Sequence, residues 1–188
     1  MSEQNKKSLY QQQKATKPLI EDLIPNFLDG EMKENALDFV AHLRANKMKP
    51  MWCLTNQWNA NYKGKTICKI HLRKGDGGWS NVGRRDKDYW IIQLYRSHMN
   101  EYEKTIMDED LQDIIWNNIV YCRKCKPKGE GKRGECSQGT NIKLLGKEIK
   151  DVCGCNWTTW IFDPDKATLN GVKKLLELEK QAREEKLK

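Results

Sequence analysis

Five of the chain's seven cysteines, Cys122, Cys125, Cys136, Cys153 and Cys155, fall in the pattern C-x2-C-x10-C-x16-C-x-C. A two-residue spacer lets both thiolates of Cys122 and Cys125 face one ion from a tight turn, with sulfur about 2.3 Å from zinc in a tetrahedral site. Cys136 with Cys153 or Cys155 would close the tetrahedron. Neighbouring Lys and Arg side chains favour the thiolate form and offset the charge of four sulfurs. Such a site leaves no open coordination position, so the zinc it implies is structural before it is catalytic. The C-x-C second half matches no familiar zinc module. Two other readings of the same residues stay open: a redox dithiol, and reduced thiols that pack as small hydrophobes.

The same segment concentrates charge. Residues 121–150 hold nine Lys or Arg against three Glu, in a chain of net charge +8. Arg123, Lys124, Lys126, Lys128, Lys132 and Arg133 would present a basic surface to phosphates, which gives a nucleic-acid-associated reading; the bland alternative is a solvated basic loop. Against nucleic acid, no recognition helix follows the cysteines and no stacking aromatics interleave the basic run.

Seven tryptophans supply a second kind of chemistry. Trp52 and Trp58 share the phase of one extended segment that also carries amides, a combination suited to a flat ligand or a sugar, or simply to a core. If a pocket forms, the expectation is a cavity between the sheet and the last helix, walled by Trp52, Trp58, Trp90 and Trp160 with Arg84 or Arg85 at its mouth. Its ligand would be small and aromatic or anionic. His42, His71 and His98 have no mutual ligand or catalytic spacing. The glycines of residues 75–83 fit no phosphate-binding fingerprint, and no nucleophile-elbow or zinc-protease signature occurs.

These residues need a frame. At 188 residues and 38% hydrophobic composition, the chain suffices for one domain with its own core. Residues 1–18 read as a flexible tail and residues 19–188 as one domain that includes the cysteine-rich segment 121–155. Leu37, Val40, Ala41 and Leu43 predict a helix over Glu34–Asn46, with Phe39 beside the stripe. Alternation from Trp52 to Tyr62, a turn at Lys63-Gly64-Lys65 and renewed alternation over Thr66–Leu72 predict a hairpin, in which Cys53 and Cys68 lie on adjacent strands in opposite phase. Tyr89–Tyr95, apolar on both faces, reads as a central strand. Leu111, Ile114, Ile115 and Ile119 mark a helix begun by Asp108, Glu109 and Asp110. After an aromatic strand over Trp157–Phe162, Asp163-Pro164 is expected to cap a last helix through Leu169, Val172, Leu175, Leu176 and Glu179.

The fold class is therefore α+β: a three-strand antiparallel meander and a later aromatic strand, packed by amphipathic helices, with a cysteine-rich loop insertion. The runs W-x5-W-x3-YKGK, LLGKEIKDVCGC and FDPD resemble those of small bacterial α+β proteins with no established activity. That resemblance implies a fold and transfers no catalytic residue. With no leader or apolar span visible and an odd number of cysteines, a cytoplasmic location without a membrane partner is expected. The function expected is a non-enzymatic module for ligand binding or interaction with a structural zinc; thiol or redox catalysis ranks behind both this and the nucleic-acid reading.

Overall fold

The computed structural model describes residues 7–75, 86–95, 98–119, 139–153 and 158–186. It is an α+β structure. Five antiparallel strands form one sheet in the order β1-β2-β3-β4-β7: β1 Lys49–Leu54, β2 Gln57–Tyr62, β3 Lys65–Arg73, β4 Tyr89–Tyr95 and β7 Thr158–Phe162. A separate hairpin pairs β5 Gly139–Leu144 with β6 Lys147–Cys153. Among the described residues six α-helices accompany them: α1 Leu9–Thr16, α2 Ile20–Leu23, α3 Gly30–Ala45, α4 Glu103–Asp108, α5 Gln112–Trp116 and α6 Lys166–Glu185.

The extended segment from Trp52 to Tyr62 is two strands rather than one. Its reversal is the pair Thr55-Asn56, with Asn56 at φ 55°, a left-handed conformation that asparagine tolerates. Trp52 pairs directly with Trp58, so the two indoles share a face in the hairpin just as they would in a single strand. A bulge between Trp52 and Leu54 then sets Leu54 opposite Gln57, on the other face from the indoles. Cys53 and Cys68 consequently lie on β1 and β3, with β2 between them, and both are free thiols. Two further two-residue turns, Lys63-Gly64 and Leu145-Gly146, have positive φ at both positions, the twist a tight hairpin needs.

One face of the sheet is the core. Trp58, Ala60, Ile70, Leu72, Trp90, Ile92 and Leu94 pack beneath α3, through Ala36, Phe39, Val40 and Leu43, and beneath α6, through Leu169, Val172, Leu175 and Leu176. Each such aliphatic or phenyl side chain removed from water contributes roughly 1.5–3 kcal/mol. Phe39 is therefore central to the α3 stripe, whereas Ala41 faces out. A side chain on Gly171 would collide with Ile114, so this glycine lets α5 lie close against α6.

Three expectations change. The opening segment holds α1, whose Ser8 and Gln11 form a reciprocal capping box. Buried Gln13 pins that helix to the first turn: its amide nitrogen donates to Asn56 Oδ1 (2.6 Å), and its oxygen accepts from Asn56 N–H (2.8 Å) and Trp52 Nε1–H (3.2 Å). Asp108 ends α4 and begins no helix; Asp110, at φ 54°, breaks the chain between α4 and α5, and Glu109 pairs with Lys174. The cap of α6 is Asp165, whose carboxylate accepts from Thr168 N–H at 2.8 Å, while Asp163 accepts from Trp90 N–H at 2.9 Å and ties the helix start to β4. No helix among the described residues is long and apolar enough to cross a membrane.

Candidate functional site

The face of the sheet turned away from α3 and α6 is built of cations, amides and aromatics. Strand register sets one row across all five strands, Met51–Asn59–Lys69–Gln93–Trp160, and beside it a second, Leu54–Gln57–His71–Ile91–Phe162. Lys49 opposite Asn61, and Arg73 opposite Tyr89, extend the face at either end. None of these residues is acidic. The reason lies in the sequence: from Phe39 to Gly75 the chain has eight Lys or Arg and no Asp or Glu, and β1, β2 and β3 lie wholly inside that run. Asn59, Lys69, Arg73, Gln93, Trp160 and Phe162 are half-buried, with Asn59 Oδ1 and Arg73 Nε sealed from solvent, and Tyr89 and Ile91 on the same face are buried.

At the centre of this face His71 is 2% exposed. Its Nδ1 faces Arg73 Nη2 at 3.3 Å and its Nε2 lies 3.0 Å from Gln93 Oε1. A guanidinium can only donate, so Nδ1 accepts and Nε2 carries the proton. Trp160 stacks on the imidazole, ring centroids 5.5 Å apart. Burial, followed by the Arg73 charge, pushes the imidazole down to about 4, so it is neutral near pH 7. A base this weak abstracts protons poorly; its place is to hold Arg73 and Gln93 in register on the face.

The sign of the resulting pH dependence follows. With its folded value near 4 against an ordinary 6.5, His71 takes up a proton more readily in the unfolded chain. Its contribution is fully present above pH 6.5 and is lost as pH falls toward 4. Between pH 7.5 and 4.5 the protein is expected to lose about 2–3 kcal/mol more stability than a His71→Gln variant, measured by urea unfolding. Equal losses in both proteins would show that the imidazole is solvated.

The four tryptophans assigned to one cavity are divided by the sheet. Trp58 and Trp90 are fully buried on the helix-covered face, where Trp58 Nε1 donates to Pro18 O at 3.0 Å and Trp90 meets Phe39 at 6.0 Å. Trp52 shares their face, partly covered by Tyr10 of α1 at 6.0 Å. Trp160 lies on the opposite face. Trp58 and Trp90 thus belong to the core between the sheet and the helices, whereas Trp52 and Trp160 are half-buried. Arg84 and Arg85 lie outside the described residues, as do Cys122, Cys125, Cys136 and Cys155 and the basic series Arg123, Lys124, Lys126, Lys128, Lys132 and Arg133; of Cys153 the backbone is described, as the last residue of β6.

Among the described residues no group of three or more His, Cys, Asp or Glu side chains is placed to hold a metal. Burial pushes both the Cys53 and the Cys68 thiol up, which disfavours the nucleophilic thiolate. His42 lies 3.7 Å from Glu177 on α6, and burial lowers its pKa; His98 contacts Glu179 at 2.7 Å. Neither reaches the outer face of the sheet. Reasoning from motifs missed Lys69, Arg73, Asn59 and Gln93. Counting acidic residues segment by segment would have found the strands that carry the first three.

Comparison with protein-family models, with curated proteins and with solved structures yields no match.

Proposed function

We propose that the protein is a binding module for a planar, anionic ligand, received on the outer face of the five-stranded sheet, and that its C-terminal cysteines hold a structural zinc ion. The observation that carries the first part is the acid-free row Asn59–Lys69–Gln93–Trp160 with Arg73 and His71 beside it. Lys69 supplies charge and the amides of Asn59 and Gln93 supply directional hydrogen bonds, beside the half-buried indole of Trp160. The weakly basic histidine and the raised thiols favour recognition over catalysis.

Support for the zinc comes from the cysteine spacing and from the strands that flank the cysteine-rich segment. Ile119 bridges Thr159, and Asn118 O accepts from Trp160 N–H at 2.9 Å, so the segment leading to Cys122 starts at the edge of β7. Cys122 follows Ile119 by three residues, Cys155 precedes Thr159 by four, and Cys136 precedes Gly139, the partner of Cys153, by three. The reading itself rests on the spacing C-x2-C-x10-C-x16-C-x-C and on the basic residues around it, which favour thiolates.

The test is a titration of the wild type and of Lys69→Glu with planar anions, nucleoside monophosphates and aromatic carboxylates, read by tryptophan fluorescence. Charge reversal at Lys69 is expected to weaken binding at least tenfold, about 1.4 kcal/mol, with an unchanged melting temperature. Equal affinity in both proteins would remove this face as the site.

A further inference from the structure

We propose that the edge of the sheet formed by β1, with α1 beside it, docks an acidic, extended segment of a partner protein, an interaction that does not depend on the ligand of the outer face. The first observation is where apolar surface lies open. Among the described residues six large apolar side chains stand well exposed, and four of them, Leu9 (51%), Tyr10 (42%), Met51 (56%) and Leu54 (47%), belong to α1 and β1. They are neighbours in space. Tyr10 meets Trp52 of β1 at 6.0 Å, and Gln13, the next turn of α1, is bonded to Asn56, two residues beyond Leu54. Met51 and Leu54 lie on the outer side of β1 and Tyr10 on the side of Trp52, so the apolar surface wraps the edge strand. A single exposed leucine or methionine is ordinary, whereas four around one strand mark a contact surface.

The second observation is the edge itself. Among the described residues β1 pairs with β2 on one side and with no strand on the other. An open edge offers backbone N–H and C=O groups to an added strand, whose alternate side chains then fall on opposite sides of β1. One set meets Met51 and Leu54, the other Leu9 and Tyr10.

Charge decides which partner fits. Neither α1 nor β1 contains an acidic residue, and the runs 4–20 and 39–75 that carry them are free of Asp and Glu. Lys14, Lys47 and Lys49 are exposed, and Lys14 Nζ lies 5.9 Å from the centre of the Tyr10 ring. A strand of mixed acidic and apolar residues satisfies both the lysines and the apolar side chains. A second copy of this chain fits poorly, because it brings like charges together at Lys47 and Lys49, and Pro50 has no N–H to give to a ladder between two β1 strands. A nucleic acid answers the charge but gives Leu9, Met51 and Leu54 no aliphatic counterpart.

The experiment is fluorescence anisotropy on the full chain with three labelled probes: a blocked octapeptide of repeat Glu-Glu-Val-Val, octaglutamate and decauridylate. Lys49→Glu and Met51→Ser are compared with wild type and with Met107→Ser, which alters an exposed side chain of α4 away from this surface. Each variant is checked for an unchanged melting temperature. The octapeptide is expected to bind more tightly than the other two probes, with affinity about tenfold lower in Lys49→Glu, several-fold lower in Met51→Ser and unchanged in Met107→Ser. Its binding should also slow amide hydrogen exchange in residues 49–54. Octaglutamate or decauridylate bound as tightly as the octapeptide overturns the proposal, since the surface then answers to charge alone. Undiminished affinity in both Lys49→Glu and Met51→Ser overturns it, as does no binding of the octapeptide. A dimer of the wild type in sedimentation that Met51→Ser dissolves overturns it as well and gives the edge to a second copy.

Discussion

Replacing Glu179 by alanine is expected to cost about 3–5 kcal/mol, a fall in melting temperature of roughly 6–20 °C. Glu179 is 2% exposed on the inner side of α6. Its two oxygens meet His98 Nδ1 at 2.7 Å, Tyr102 O–H at 2.7 Å and Arg183 Nε–H at 2.8 Å. Arg183, itself 9% exposed, also donates to Lys65 O at 3.4 Å and Thr66 O at 3.1 Å, so one carboxylate joins α6 to the start of β3 and to the residues before α4. Removing it leaves a buried guanidinium without a counter-charge and a buried phenol without an acceptor. Burial and the adjacent carboxylate already hold the Tyr102 phenol well above its usual range, so it stays a neutral donor. Replacing the pair together, Glu179→Leu with Arg183→Met, should recover much of the loss, since the cost lies in the orphaned charge. A loss below about 1 kcal/mol in the single variant would mean that water reaches the cluster.

The second large effect concerns the metal. Protein purified under reducing conditions without a histidine tag is expected to contain about one zinc per chain by elemental mass spectrometry, and Cys122→Ser and Cys153→Ser to lose it together with several degrees of thermal stability. Apparent binding free energies of structural zinc reach about 10–16 kcal/mol in small modules, so its removal by a chelator should register strongly in the C-terminal half. Metal-free wild-type protein with an unchanged melting temperature would contradict the zinc assignment and return the cysteines to the redox or packing readings.

What the sequence revealed of this fold follows from which signals are local. The stripe Leu169, Val172, Leu175, Leu176, Glu179 lies wholly on the buried face of α6, which Gly171, Ala182 and Arg183 complete, because its period repeats through a long helix. Tyr89–Tyr95 is central, between β3 and β7, as its two apolar faces require. The Thr55-Asn56 turn escaped because Trp52 and Trp58 keep one phase whether the chain runs straight or folds back between them. The opening helix escaped because its anchor is a single glutamine whose partners lie about forty residues away, a contact no local period encodes. The outer face was hidden for a related reason. Lys69, Gln93 and Trp160 are neighbours only through register, and only register shows that they share a side. Cysteine spacing, by contrast, is visible in the sequence, but the four ligands it would select are fixed by tertiary placement.

The most direct measurement on the binding face is the indole N–H region of a 15N-correlated NMR spectrum, recorded as ligand is added. The tryptophans report from both sides of the sheet, with Trp160 on the outer face and Trp58 and Trp90 sealed beneath α3 and α6. The expected result is a saturable shift of the Trp160 indole with the Trp58 and Trp90 signals unmoved, abolished in Lys69→Glu. Shifts confined to Trp58 and Trp90, or a Trp160 signal that stays fixed while ligand binds, would contradict the assignment of this face.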